Sequence, residues 1–219
     1  MRKFLLSILL TAFLVSCFAN GAAAAKIVVV DLPQPNKTGG MPLNEAVTKR
    51  HTEREFTDLV ITPQELSDLL YVAAGVNREN GLRVYPVGKG IQNMFVYVFT
   101  RDGVFKFDAP THSLELITEE DLRQKTGTPS YIGRAAVNLV YVQDVKMWKS
   151  ENKPREIVER WGFSHTGAIM QNVYLFAASK GWNCAVRGTF DENEISKILK
   201  LKKDQIITLV QSIGPADNN

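Results

Sequence analysis

Apolar residues recur along the chain with two distinct periods. Residues 41–50, "MPLNEAVTKR", place Leu43 and Val47 four apart behind Pro42, the pattern of a short helix. Residues 62–75, "TPQELSDLLYVAAG", give the clearest helix. Thr62 is its cap, Pro63 its first residue and Glu65 the partner of a capping box. Leu66, Leu69, Leu70 and Ala73 form the apolar stripe, and Gly75 ends it. From residue 94 the period drops to two around Phe95, Tyr97 and Phe99, and Asp102–Gly103 marks a hairpin turn into "VFKFD".

Residues 118–127, "TEEDLRQKTG", repeat the cap logic with Thr118 and Asp121 and predict another short helix. "AAVNLVYVQDV" reads as a buried strand. The stretch 155–182 holds a long helix, apolar nearly all round from Ala168 to Ala178 except at Gln171 and Asn172. Such a helix lies at the centre of a domain or is shared with a partner subunit. "NCAVRGTF" predicts a strand, "DENEISKILKLK" a polar helix and "QIITLVQSIG" a last strand. The expected fold is therefore mixed α+β around one central sheet, without a regular βαβ rhythm.

The first 25 residues stand apart. "MRK" and "FLLSILLTAFLV" have the basic start and short apolar run of an export signal, too short to span a bilayer comfortably. "LVSC" fits a lipobox with Cys17 as the lipidated residue, and "ANGAAAAK" offers ordinary cleavage near Ala25; both readings stay open. Either places the protein outside the cytoplasm, in the periplasm or cell envelope. The expected organisation is a signal at 1–25, an extended arm at 26–40, one domain at 41–214 and a tail at 215–219.

The formal net charge of +3 includes Arg2 and Lys3, so the mature chain is near neutral, which argues against nucleic acid as a partner. Cys184 stands alone once Cys17 is cleaved or lipidated, and reads as a small buried side chain. The three histidines are scattered, with no His-x-x-x-His or Cys-x-x-Cys pair, so no metal is expected. G-x-S-x-G, the dinucleotide fingerprint and the P-loop are all missing.

Three stretches carry candidate chemistry. "KRHTEREF" at 49–56 crowds Lys49, Arg50, His51 and Arg54 together. Arg50 and Arg54 could grip one phosphate with forked contacts, with Thr52 and His51 adding donors. The competing reading pairs both arginines with Glu53 and Glu55 on a wet surface. "YPVGKGIQ" at 85–92 could cradle an anion or carbonyl at Gly88, Lys89 and Gly90. "VRGTF" at 186–190 sets Gly188 after a strand, where backbone can approach a flat ligand.

Taken in order, these stretches resemble the nitroreductase-like flavoprotein family over Met41 to Gly214. The family's R-[RH]-[ST]-x-[RK]-x-F is matched by Arg50, His51, Thr52, Arg54 and Phe56. "TPQELSDLLYVAAGVNRENGLRVYPVGKGIQ", the Gln-Asn-bearing helix and "VRG" then follow as the family has them. The loop departs at Val87 and Gly90, where the family has Ser and Asn, and no basic residue follows Gly214.

The resemblance implies a central, mostly antiparallel sheet flanked by helices, an intertwined homodimer, and FMN at the dimer interface. It assigns the FMN phosphate to Arg50 and Arg54, with His51 and Thr52 assisting. Gly90 and Gln92 would lie by the ribityl chain and pyrimidine edge, and the backbone of Arg187, Gly188 and Thr189 by the flavin N5. No protein acid or base is implied. The activity implied is electron transfer from a donor through FMN to a quinone, nitro or other small organic acceptor, by a ping-pong scheme. NAD(P)H is one candidate donor, though scarce outside the cytoplasm. The alternatives are a flavin-binding envelope protein without turnover and a flavin oxidase acting on peptide-like substrates.

Overall fold

The computed structural model describes residues 27–216. The export signal, the Cys17 lipobox and residues 217–219 lie outside the described residues. Seven strands form one sheet in the order β1-β4-β3-β2-β5-β7-β6, antiparallel at every pairing. The strands are β1 (Val29–Asp31), β2 (Met94–Thr100), β3 (Gly103–Asp108), β4 (Ser113–Thr118), β5 (Val137–Asp144), β6 (Trp182–Arg187) and β7 (Gln205–Pro215). The helices are α1 (Leu43–Lys49), α2 (Pro63–Ala74), α3 (Arg155–Lys180) and α4 (Glu192–Leu199). None of the described helices is long and apolar enough to cross a membrane.

The sheet is covered on both faces, and the alternation in β2 and β5 sorts the side chains. Val96 and Val98 join Leu139 and Tyr141 under α2 and α3, with Leu69, Leu70, Ile169 and Val173 above them. Tyr97 and Phe99 join Val140 and Val142 under Ile195 and Leu199 of α4. Burial on both faces is why "MFVYVF" and "VNLVYV" read as near-continuous apolar runs.

The α2 capping box forms as expected. The Thr62 hydroxyl accepts from the Glu65 amide, and the Glu65 carboxylate accepts from the Thr62 amide. At 118–127 the expectation fails. Thr118 ends β4, and only Arg123–Thr126 turn, as a 3-10 segment. Asp121, expected to serve a helix start, instead takes the Arg123 guanidinium through both oxygens, at 3.0 and 2.8 Å. Nor is the arm at 26–40 merely extended. Val29, Val30 and Asp31 pair with β4 and make it the sheet's edge strand. Further along the arm, Asn36 donates twice to the Asp68 carboxylate of α2.

α3 occupies the centre of one face. His165, Thr166, Ile169, Val173, Tyr174 and Ala177 are buried, whereas Ser164 and Gln171 are exposed. Cys184 is a free, buried thiol, pushed up to about 12 mainly by burial. Its sulfur accepts from the Gln211 amide. A protonated, enclosed thiol is an inert packing group.

Candidate flavin site

The basic stretch leaves α1 at its last turn and runs along the outer edge of β6. Strand β6 pairs only with β7, so its other edge needs partners. The Glu53 amide donates to the Cys184 carbonyl at 3.1 Å, and the Asn183 side chain donates to the Glu55 carbonyl. The Val186 amide donates to the Tyr174 hydroxyl at 2.9 Å. Phe56 is buried and bridges to Ala216, anchoring the far end of the stretch.

Tyr174 is the hub. The Thr52 hydroxyl lies 3.0 Å from its hydroxyl, and the Arg50 guanidinium sits over its ring at 5.4 Å from the centroid. Arg50 is half-buried, while His51, Thr52 and Arg54 are exposed. The His51 Nδ1–H donates to the Lys49 carbonyl, which leaves Nε2 turned elsewhere. Among the described residues neither Arg50 nor Arg54 forms an ion pair. Glu53 instead accepts from the Arg54 backbone amide. The charges of this stretch therefore do not cancel locally, as the wet-surface reading requires.

At the end of β6 the three residues divide. Gly188 and Thr189 are exposed. A methyl group added at Gly188 would meet only the Leu209 side chain, at 3.8 Å, so the chain's own packing does not demand glycine there. Arg187 behaves otherwise. Its side chain is buried and donates to the Thr126 carbonyl at 2.6 Å and to the Thr126, Asn138 and Ser212 side-chain oxygens. Burial pulls its pKa down to about 10, opposed by Tyr131. The guanidinium ties β6 to the 3-10 turn at 123–126 through both terminal nitrogens, and its buried Nε is left without a partner among the described residues.

The glycine loop is held elsewhere. The Gly88 amide donates to His165 Nε2, Lys89 pairs with Glu151, and Gly90 has a left-handed φ of +73°. Lys89, considered from sequence as an anion cradle, is thus committed to a carboxylate. Both polar atoms of the Gln92 amide are buried without a hydrogen-bond partner. Such an orphan is costly and points to a partner outside the chain.

His165 and Tyr174 are nine residues apart on α3, which places them about 14 Å apart along the axis and roughly 180° apart around it. The Arg50–Thr52–Gly188 group and the Gly88–Gln92 group therefore lie on opposite flanks of α3 in one chain. Sequence reasoning found both groups but missed Tyr174, which contacts Thr52 and Val186 of the first, and His165, which accepts the Gly88 amide of the second. A tyrosine inside an apolar helix was the available signal, because a buried hydroxyl needs a partner.

Comparison with known proteins follows the same outline. The Nitroreductase family model matches residues 47–214. A protein of Methanocaldococcus jannaschii that carries the nitroreductase name is 28% identical over 177 residues, covering 76% of this chain and 88% of its own. A crystal structure from Ralstonia eutropha, also under that name, superposes with a TM-score of 0.81 at 34% identity, covering 87% of this chain and 90% of its own. A structure from Exiguobacterium sibiricum, solved in complex with FMN, shares the fold with a TM-score of 0.62 at 14% identity, covering 84% and 92%.

Proposed function

The chain belongs to the nitroreductase family, and from that premise we propose an oxidoreductase that works with FMN held between two copies of the chain. It takes electrons from a reduced donor and passes them to a quinone, nitro or other small organic acceptor, the two half-reactions alternating at one site. FMN supplies the hydride and electron chemistry, and the chain supplies position and electrostatics.

The observation that carries this reading is the set of unmet valences on two separate groups. Among the described residues, Arg50 and Arg54 have no acid partner and the Gln92 amide has no hydrogen-bond partner. A phosphate suits the first group, since forked guanidinium contacts to phosphate oxygens are short and charge-assisted. An edge of paired donors and acceptors, such as a pyrimidine ring, suits the second. The relative from Exiguobacterium sibiricum carries FMN on the same fold. The structure of a protein from Staphylococcus epidermidis that carries the name NAD(P)H:FMN oxidoreductase shares the fold, with a TM-score of 0.62 at 14% identity. NAD(P)H is accordingly one donor to test, and a quinol or redox protein another.

A second copy answers the separation of the two groups across α3. Leu43 and Val47 of α1 are 66% and 55% exposed, and Phe163 of α3 is 48% exposed. These apolar side chains, together with the small Gly167 and Ala168, suit a homodimer along α1 and α3. Export to the periplasm or envelope remains part of the proposal, on the residues of the N-terminal stretch.

The test is a visible absorption spectrum of the purified mature protein, before and after FMN is added. The expected result is a flavin band that survives gel filtration and is bleached by dithionite. Arg50→Ala with Arg54→Ala should release it and leave the fold intact. A colourless protein that takes up no FMN would overturn the proposal.

A further inference from the structure

His165 has no role in the function proposed above, yet it is buried and makes one directed contact. Its Nε2 accepts the Gly88 amide at 3.2 Å, 77 residues away in sequence. An imidazole that accepts at Nε2 carries its proton on Nδ1, and His165 Nδ1 has no partner among the described residues. A second contact fixes the same residue. A methyl group on Gly88 would lie 3.1 Å from the Trp148 ring, so the indole leaves little room for a side chain there. Lys89, beside it, is held at a left-handed φ of +52° and is tied to Glu151. Three residues after Lys89 comes the unpartnered amide of Gln92.

We propose that His165 is the positioning residue of the Gly88–Gln92 loop: its Nε2 fixes the Gly88 amide and so sets where Gly90 and the Gln92 amide meet the flavin. This rests on the flavin reading above. Val87 and Gly90 stand where the family's Ser and Asn side chains would be, so this loop offers its own backbone and Gln92 instead. Backbone groups recognise a ligand only as well as the loop is held, and preorganisation then sets the affinity. The hold comes from α3, a helix whose Ile169 and Val173 are buried in the core against α2 and the sheet.

The contact also has a protonation state. Burial alone lowers the His165 pKa below the ordinary 6.5. No charged group contributes to that shift, and Lys89 on the loop and Glu151 on the turn before α3 pair with each other. Because the folded pKa is depressed, the neutral acceptor is fully present above 6.5 and is lost as pH falls through the lower, folded value.

Two variants and two readouts test this. Hydrogen exchange at the Gly88 amide, followed by NMR in flavin-free protein, reports the loop. FMN titration from about pH 8 down to about pH 5 reports the site. His165→Leu should speed Gly88 exchange and weaken FMN by roughly tenfold, the worth of one hydrogen bond. His165→Gln, whose Oε1 can occupy the place of Nε2 and accepts at every pH, should restore both. It should also remove the His165 part of the acid-side loss of affinity, leaving the part that comes from protonating the FMN phosphate at about pH 6. Wild-type Gly88 protection or wild-type FMN affinity in His165→Leu overturns the proposal, as does an unchanged pH profile in His165→Gln. A wild type that takes up no FMN overturns the function proposed above. The exchange measurement then still decides whether His165 holds the loop.

Discussion

Tyr174→Phe isolates what one hydroxyl does. The substitution keeps the ring, so the burial of α3 and the stacking of Arg50 over the aromatic face are retained. What it removes is the oxygen shared by the Val186 amide at 2.9 Å and the Thr52 hydroxyl at 3.0 Å. Thr52 is exposed and can turn to water, which makes its loss cheap. The Val186 amide points out of the sheet edge beneath α3 and loses its acceptor. Together the two losses amount to about 2 kcal/mol. For a domain of this size that lowers Tm by roughly 4–8 °C. Differential scanning calorimetry on the purified protein measures it, and a parallel FMN titration should show a smaller loss than Arg50→Ala with Arg54→Ala gives. A Tm within about 1 °C of the wild type would refute the assignment of Tyr174 as the tie between α3, β6 and the basic stretch.

Two further predictions concern the elements around the site. Thr62→Ala removes the acceptor of the Glu65 amide and should cost about 1 kcal/mol, or roughly 2–4 °C in Tm, with FMN binding unchanged. Asp68→Ala should release the arm, because that carboxylate takes both the Asn36 amide and its side chain; faster trypsin cleavage after Lys37 reports it. Burial raises the Asp68 pKa, but the hydrogen bonds from Asn36 and Gln64, with the Lys180 charge, outweigh it and bring the value below 3.8. The tie is therefore complete above 3.8 and is lost as pH falls through the lower folded value, which exchange at the Asn36 amide should show.

Local signals were legible in the sequence where local physics decides. The Thr62–Glu65 box, the Asp102–Gly103 hairpin and the Asp191 cap of α4 all lie within four residues of what they control. Thr118–Gly127 misled because Thr118 and Asp121 have caps' chemistry, but one closes a strand and the other grips Arg123. Strand β1 was hidden because three valines beside a proline-rich arm carry no alternation, and only pairing with β4 makes them a strand. At the site, the basic stretch, the glycine loop and "VRG" could be named because their residue types are chemically marked. Which parts of them face a ligand could not. Arg187 looks like a ligand cation in sequence, and only the alternation along β6 sends it to the far face, into Thr126 and Ser212. Tyr174 and His165 work through partners 122 and 77 residues away, a distance at which no local pattern speaks.

That spacing governs when the binding cluster can exist. The basic stretch leaves the ribosome early, but the groups that receive it, Tyr174, Asn183, Cys184 and Val186, follow more than a hundred residues later. The bridge from Phe56 to Ala216 closes only with the last described residue. Contacts this remote in sequence form late, since a long loop must be closed before they repay anything. Arg50 and Arg54 are therefore an unassembled half-site until α3 and β6 have been made, with no aromatic platform before the one and no strand edge before the other. A chain truncated before β6 should keep its first hairpin yet have no affinity for the anion. With FMN as the ligand proposed above, the chain gains its hold on the phosphate only once β6 and β7 have been made.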